Sequence, residues 1–309
     1  MMTRGHKLLL TFFLLISCLM TGSEIFGALL ENPEEKILDR TLEAEKTRQK
    51  RLGQTENPFA LTDPDIALIK DKLFYGQILG KGSLDEKQEA LIILACLTAT
   101  QGLDELAIQV DSALRLGVDP ISIKEAIYQC APYIGFPKVE AALVIVNKVF
   151  AKNDIGTPLP GQGVVSEESR FAKGLDKQTS IFGEQIKSMH KNAPKDQKKI
   201  VVDMLTAYCF GDFYTRNCLD VKMRELIVFS VINAIGGCEP QAKAHAEANI
   251  KVGNTRQNLI DAIALMLPFT GFPRTLNALA CVNAVCKEDD AASKAPEAPD
   301  TKEKSSSKK

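Results

Sequence analysis

Apolar residues recur at helical spacing along much of the chain, most clearly over residues 84–98 and 219–235. Each of these runs follows an aspartate that suits a helix N-cap: Asp85, with Gln88 three positions later, and Asp220. Strand-type alternation is not sustained anywhere in the sequence. The pattern therefore predicts an all-α protein.

Glycine and proline mark the ends of the predicted helices. Gly117 and Gly253 fall where helix C-caps are expected, and Asp119–Pro120 suits the start of a new helix. Two Gly-Phe-Pro tripeptides, at 135–137 and 271–273, are predicted to end one helix and begin another.

The same order of elements occurs twice, because the chain contains an internal repeat. Residues 75–102 align without a gap to 210–237 at an offset of 135, and residues 113–143 align to 249–279 at an offset of 136. Each unit is about 120 residues long, which is the size of a domain rather than of a solenoid repeat.

The repeat predicts two tandem domains. The first covers residues 31–150, and the second covers residues 169–286. Between them, residues 151–168 are rich in Gly, Pro and Ser and are typical of a linker. The tail 287–309 is charged and almost free of apolar residues, so it is predicted to be disordered.

The N-terminus has the pattern of a signal peptide over residues 1–23. A basic start precedes an apolar run, 8–20, that is too short to span a bilayer. Cys18 lies near the end of this run in a sequence that resembles a bacterial lipobox, which predicts lipidation; the alternatives are ordinary cleavage after 21–23 and an uncleaved anchor. Lipidation and ordinary cleavage both predict an exported bacterial protein, periplasmic or membrane-anchored.

Composition narrows the function classes. The net charge is −1 and the chain has no tryptophan, so neither nucleic acid nor an anionic membrane surface is an expected partner. Seven cysteines remain beyond Cys18, an odd number without a CxxC pair. That spacing favours buried thiols over a disulfide framework or a zinc site, and no metal or other cofactor is predicted.

Several segments of the second unit resemble the carboxymuconolactone decarboxylase family of the alkylhydroperoxidase D-like fold. They are GLDKQTSIFGEQ (174–185), FGDFYTRNCLDVKMRELIVFS (210–230), a histidine eight residues before a glycine, and TGFPRTLNAL (270–279). The resemblance covers 168–285, and a weaker copy covers 34–150. It implies two tandem alkylhydroperoxidase D-like helical domains after a signal peptide. It also implies oligomers, with three two-domain chains forming a six-domain ring.

The resemblance implies two chemistries, one of which is a thiol peroxidase with a CxxC pair and a histidine. Cys238 matches the first cysteine and His245 the histidine, but Gln241 stands where the second cysteine would be. A dithiol mechanism is therefore excluded in this copy. Cys238 remains either a reactive single thiol at a helix N-terminus or a small packing residue.

The other implied chemistry is decarboxylation without a cofactor, with His245 as acid and base; the alternative for His245 is a hydrogen-bonded core histidine. Glu225 is a further catalytic candidate, and Arg224 beside it would hold a substrate carboxylate; the alternative for this pair is an exposed helix turn or an intersubunit ion pair. Asp212 and Arg216 either line the pocket, as Gln241 is expected to do, or cap a helix. The first copy has Gln109 in place of the histidine and is predicted to be structural.

Three functions follow as expectations. The first is a decarboxylase or related lyase that acts on a small carboxylated, lactone-like substrate. The second is peroxiredoxin-type antioxidant activity on a peroxide through Cys238. The third is a non-catalytic, oligomeric binding protein.

Overall fold

The computed structural model describes residues 39–54 and 57–286, and all regular secondary structure within these ranges is helical. This confirms the predicted all-α class. The predicted signal peptide with Cys18 and the tail 287–309 lie outside the described residues.

Helices of the first copy come in the order that the repeat predicts. They are α1 (Arg40–Leu52), α2 (Pro64–Leu73) with a π-helical turn (Phe74–Ile78), α3 (Glu86–Thr100), α4 (Leu103–Arg115), α5 (Pro120–Gln129), α6 (Ala131–Ile134) and α7 (Phe136–Lys152). The second copy comprises α8 (Arg170–Phe182), α9 (Gln185–Asn192), a long π-helix (Lys199–Tyr214), α10 (Val221–Ile235), α11 (Glu239–Lys251) and α12 (Arg256–Val285).

Helices α3 and α10 form the centre of the fold. The side chains of Asp85 and Asp220 accept hydrogen bonds from the backbone N–H of the third helical residue, and Asp85 forms a full capping box with Gln88. From their second turn onward both helices are buried on every side, which is typical of a core helix rather than an amphipathic surface helix.

Helix α12 is two helices joined at Gly271, as the Gly-Phe-Pro pattern predicts. Gly271 has φ 73° and ψ 170°, and Gly135 has φ 81° and ψ 160° at the matching position of the first copy. Among the described helices, α12 alone has the length and hydropathy of a membrane-crossing segment. Its first part, however, packs into the core through Leu259, Ile263 and Met266.

The two copies meet like the halves of a symmetric dimer. From Thr41 on, the described residues form one compact unit in which α3 packs against α10. Asn258 Nδ2 donates to Ser83 Oγ at 2.8 Å, and the matching positions Ser122 and Cys218 also touch, with Oγ 3.2 Å from Sγ. Reciprocal contacts of this kind are the property of a two-fold interface.

The long π-helix is the element that the sequence pattern did not predict, because apolar spacing does not separate it from an α-helix. It packs unusually closely on α8. A Cβ on Gly174 would lie 2.2 Å from the carbonyl oxygen of Thr206, and a Cβ on Gly211 would lie 2.3 Å from that of Arg170. Both glycines are needed for this backbone contact, which positions Cys209, Phe210 and Tyr214 beside α10.

Candidate functional site

His245 lies on α11 and faces Glu225 of the neighbouring α10. Its Nδ1 is 2.8 Å from Glu225 Oε2, and the two residues are 7% and 0% exposed. A carboxylate only accepts hydrogen bonds, so Nδ1 carries the proton of this contact. Nε2 has no hydrogen-bond partner among the described residues and remains the ring nitrogen available to a ligand.

Aromatic rings hold the imidazole from two sides. The ring of Phe182 is 5.3 Å from it at an interplanar angle of 88°, and the ring of Tyr133 is 5.8 Å away at 80°. Both are edge-to-face contacts, the favourable geometry for aromatic pairs. Together with the Glu225 hydrogen bond, they fix the orientation of the ring.

A chain of hydrogen bonds continues from Glu225 into the first copy. Tyr214 donates to Glu225 Oε1 at 2.6 Å, and the hydroxyls of Tyr133 and Tyr214 are 3.2 Å apart. Because the Tyr214 proton is directed to Glu225, Tyr133 is the donor of the second bond. The thiol of Cys209 in turn donates to the Tyr133 oxygen at 3.6 Å. We call these five residues, Cys209, Tyr133, Tyr214, Glu225 and His245, the relay.

Burial keeps the tyrosines of the relay protonated. It raises the pKa of Tyr133 and of Tyr214 well above the usual range, and the Glu225 carboxylate adds to both shifts. Both hydroxyls therefore remain hydrogen-bond donors at neutral pH. Hydrogen bonds from Tyr214 and His245 compensate the burial of the Glu225 carboxylate, which would otherwise be costly.

The relay borders a cavity of about 630 Å³ between α8, α9, the π-helix and α11. Sixteen residues line it, and ten of them are apolar. The polar ones are Tyr133, Gln178, Tyr208, Cys209, Gln241 and His245. The cavity has the size of a small-molecule site. Within the part of the chain that the structure describes, no three His, Cys, Asp or Glu side chains are grouped as metal ligands.

The first copy has no counterpart of the relay. Four of the residues at the five matching positions are apolar, so their side chains cannot form the hydrogen bonds that join Cys209 to His245 in the second copy. The five residues are Phe74, Leu79, Ala90, Gln109 and, supplied by the second copy, Phe269. The relay is therefore present on only one face of the pseudo-dimer.

Arg224 lies away from the cavity. It is 1% exposed, and its guanidinium bonds Glu125 at 3.2 Å, Gln129 at 2.7 Å and three backbone carbonyls. These five acceptors hold the guanidinium outside the cavity, where it does not meet a ligand bound beside His245. The matching residue in the first copy, Glu89, is also buried and pairs with Arg51. In both copies, the residue at this position therefore belongs to a buried ion pair.

Asp212 and Arg216 are likewise occupied outside the cavity. Asp212 accepts two hydrogen bonds from Arg170 of α8. Arg216 makes a two-pronged contact with Glu125 of the first copy at 2.8–3.0 Å and lies over the ring of Tyr128. The two side chains tie elements together and do not line the pocket.

Gln241 lines the cavity with His245, one helical turn away, whereas Cys238 does not line it. Cys238 lies at the N-terminus of α11, where its thiol contacts the Gly236 carbonyl at 3.5 Å, beside a separate, much smaller hollow. The peroxidase hypothesis requires the thiol and the imidazole to face one site, and they do not.

Cys209 is the cysteine that does line the cavity, and its environment opposes thiolate chemistry. Burial raises its pKa from 9.0 to about 12. At pH 8 its thiolate population is consequently about a thousandfold below that of an ordinary thiol. We expect iodoacetamide at pH 8 to label the exposed Cys218 and to leave Cys209 unmodified, as read by peptide mass spectrometry. Rapid labelling of Cys209 in the folded protein would contradict this.

Sequence reasoning missed Tyr133, Tyr214 and Cys209. Tyr214 stands inside the FGDFYTR segment and could have been weighed with Asp212 and Arg216 there. Tyr133 reaches the site from the other copy, 81 positions from Tyr214 along the chain. The signal available for it was the repeat itself, because Tyr133 aligns with a phenylalanine that cannot hydrogen-bond.

Comparison with known proteins gives a consistent picture of both copies. A model of the carboxymuconolactone decarboxylase family matches residues 71–148 and again residues 201–284. The two matches fall on the two halves of the repeat, which confirms two tandem copies.

Individual relatives are distant. An uncharacterised 15.0 kDa protein of Paracoccus denitrificans is 30% identical over 93 residues, 29% of this chain and 69% of the relative. The 4-carboxymuconolactone decarboxylase of Acinetobacter baylyi is 23% identical over 124 residues, 40% of this chain and 92% of the relative. A nitrosuccinic acid decarboxylase of Metarhizium robertsii is 28% identical over 92 residues, 30% of this chain and 64% of the relative.

Proposed function

The chain belongs to the carboxymuconolactone decarboxylase family, and from this premise we propose that its second copy is a cofactor-independent carboxy-lyase for a small organic acid. The observation that carries the proposal is the fixed His245–Glu225 pair at the wall of a ligand-sized cavity. Two relatives named as decarboxylases, which act on a lactone acid and on a nitro acid, support the reaction class.

The reaction needs a proton delivered where carbon dioxide leaves. The bond between the substrate carbon and its carboxylate breaks, CO2 departs, and the electron pair stays on the carbon and its conjugated acceptor group. Nε2–H of a protonated His245 then gives its proton to that carbon, and one proton taken up from solvent returns the imidazole to its protonated form. Glu225 holds the opposite nitrogen throughout, so the donor does not rotate away from the substrate.

A hydroxyl group at the cavity wall stabilises the charge that develops on the acceptor group. Tyr208 lines the cavity, and burial raises its pKa. A protonated hydroxyl can donate to a developing oxyanion, which is a large contribution in sites with little water. The apolar remainder of the wall favours loss of a charged carboxylate as neutral CO2.

The alternatives are less well supported. A thiol peroxidase at Cys238 would need that thiol at the cavity, and it lies elsewhere. A binding protein without turnover would use the same cavity. Measuring CO2 release distinguishes it from a lyase, because only a lyase forms product. We propose further that the protein acts outside the cytoplasm, because of the basic start and apolar run at residues 8–20.

Release of CO2 from a panel of lactone, nitro and β-keto acids by the purified chain tests the proposal. In D2O the product should carry one deuterium at the carbon that lost CO2. Ala244→Phe, which fills the cavity from an exposed helix position, should abolish the release. The matched change in the first copy, Ile108→Phe, should leave it intact. Absence of CO2 release from every acid, or CO2 release by Ala244→Phe at the wild-type rate, would contradict a lyase at this site.

A further inference from the structure

The charge distribution of the cavity wall identifies the kind of acid it accepts. We infer that the substrate is a predominantly apolar monocarboxylic acid, with its one carboxylate end beside His245 and hydrocarbon along the rest of the wall. This inference rests on the proposed function and adds the substrate class to it.

Aliphatic side chains form a large part of the cavity wall. The π-helix contributes Ile200, Val201, Met204 and Leu205, and α9 contributes Ile186 and Met189. These are flexible or branched aliphatic groups without hydrogen-bonding capacity. A hydrocarbon chain or ring that replaces water against them is stabilised by about 25 cal/mol per Å² of buried apolar surface.

His245 is the single group among the lining residues that can carry a positive charge. The lining contains no Lys or Arg. The cations on the enclosing helices, among them Arg170, Lys199 and Lys243, lie outside the lining. A second carboxylate on a ligand would therefore lose its hydration without gaining a cation. The cavity should accept one negative charge and discriminate against two.

Ligands of equal length test this discrimination without requiring turnover. The probes are decanoate, decanedioate and decan-1-ol, each titrated calorimetrically into the full-length protein at pH 7 and below micelle concentration. Decanoate should bind at least about tenfold more tightly than decanedioate, and also more tightly than the alcohol. Equal or tighter binding of decanedioate to the wild type, or no binding of decanoate, would overturn the inference.

The chain offers a matched pair of variants for the same experiment. Met204 is 49% exposed at the cavity, and its counterpart in the first copy, Ile69, is 61% exposed away from it. Met204→Arg adds the missing cation and should improve decanedioate binding at least about tenfold, whereas Ile69→Arg should change nothing. Identical titrations for the two variants would contradict the inference.

The outcomes separate this inference from the proposed function. Selective binding of decanoate by a protein that decarboxylates no acid would support the substrate class and end the lyase proposal. Turnover of dicarboxylic acids without preference for monoacids would support the lyase and end the inference.

Discussion

Replacing His245 by asparagine is expected to lower turnover of any acid that the wild-type chain decarboxylates by about 10²–10⁴-fold. The asparagine amide keeps a donor near the position of Nδ1, so the hydrogen bond to Glu225 is retained. The change removes Nε2, the nitrogen assigned to proton delivery. Steady-state rates of CO2 release measure the effect, and circular dichroism checks that the variant is folded.

The first copy supplies the control for this change. Gln109 occupies the position that matches His245, where it bonds Glu105 and Tyr75. Gln109→Ala should leave the rate within about twofold, because no relay exists around it. If His245→Asn retained wild-type turnover, His245 would not be the proton donor, and the chemistry would have to be sought elsewhere in the cavity.

Glu125→Ala is expected to lower the free energy of unfolding by about 3–5 kcal/mol, the usual cost of removing one partner of a buried ion pair. Glu125 is 1% exposed and bonds two arginines of the other copy, Arg216 at 2.8 Å and Arg224 at 3.2 Å. Its loss leaves the guanidinium of Arg224, also 1% exposed, without a counter-charge. Urea unfolding followed by circular dichroism measures the change.

Asp261 is the matched position in the second copy and the control for Glu125. It accepts hydrogen bonds from Ser83 N–H and Oγ at 2.6 Å, but no arginine depends on it. Asp261→Ala should therefore cost about 1 kcal/mol. Equal losses for the two variants would show that the Glu125 ion pairs contribute no more than ordinary hydrogen bonds at this interface.

Local signals in the sequence predict the helices well because they act over a few residues. The capping aspartates, Asp85 and Asp220, begin α3 and α10 where the pattern indicates, and Gly135 and Gly271 break the helices where Gly-Phe-Pro occurs. Each signal reflects backbone hydrogen bonding or steric exclusion within one helical turn, which does not depend on the rest of the fold.

Contacts between distant segments decide the site, and hydrophobic periodicity carries no information about them. Arg224 looks like a free cation at the start of a helix until Glu125, 99 positions away, is brought against it. In the sequence, Tyr133 is simply an aromatic residue near a helix end, and its hydrogen bond with Tyr214 forms only in the folded chain. Glu225 and His245 could be chosen from a resemblance, but the hydrogen bond that joins them comes from the packing of α10 on α11.

Fusion of the two copies has a consequence for how such a protein can diverge. In a homodimer of identical chains every mutation appears twice, so a hydroxyl group introduced at one of the two equivalent sites is introduced at both. Here the hydroxyl of Tyr133 and the phenyl ring of Phe269 occupy equivalent places and have become different. One copy can therefore change in ways that support its neighbour while the other changes in ways that suit a ligand. A gene that encodes a single copy cannot encode such a difference between the two halves.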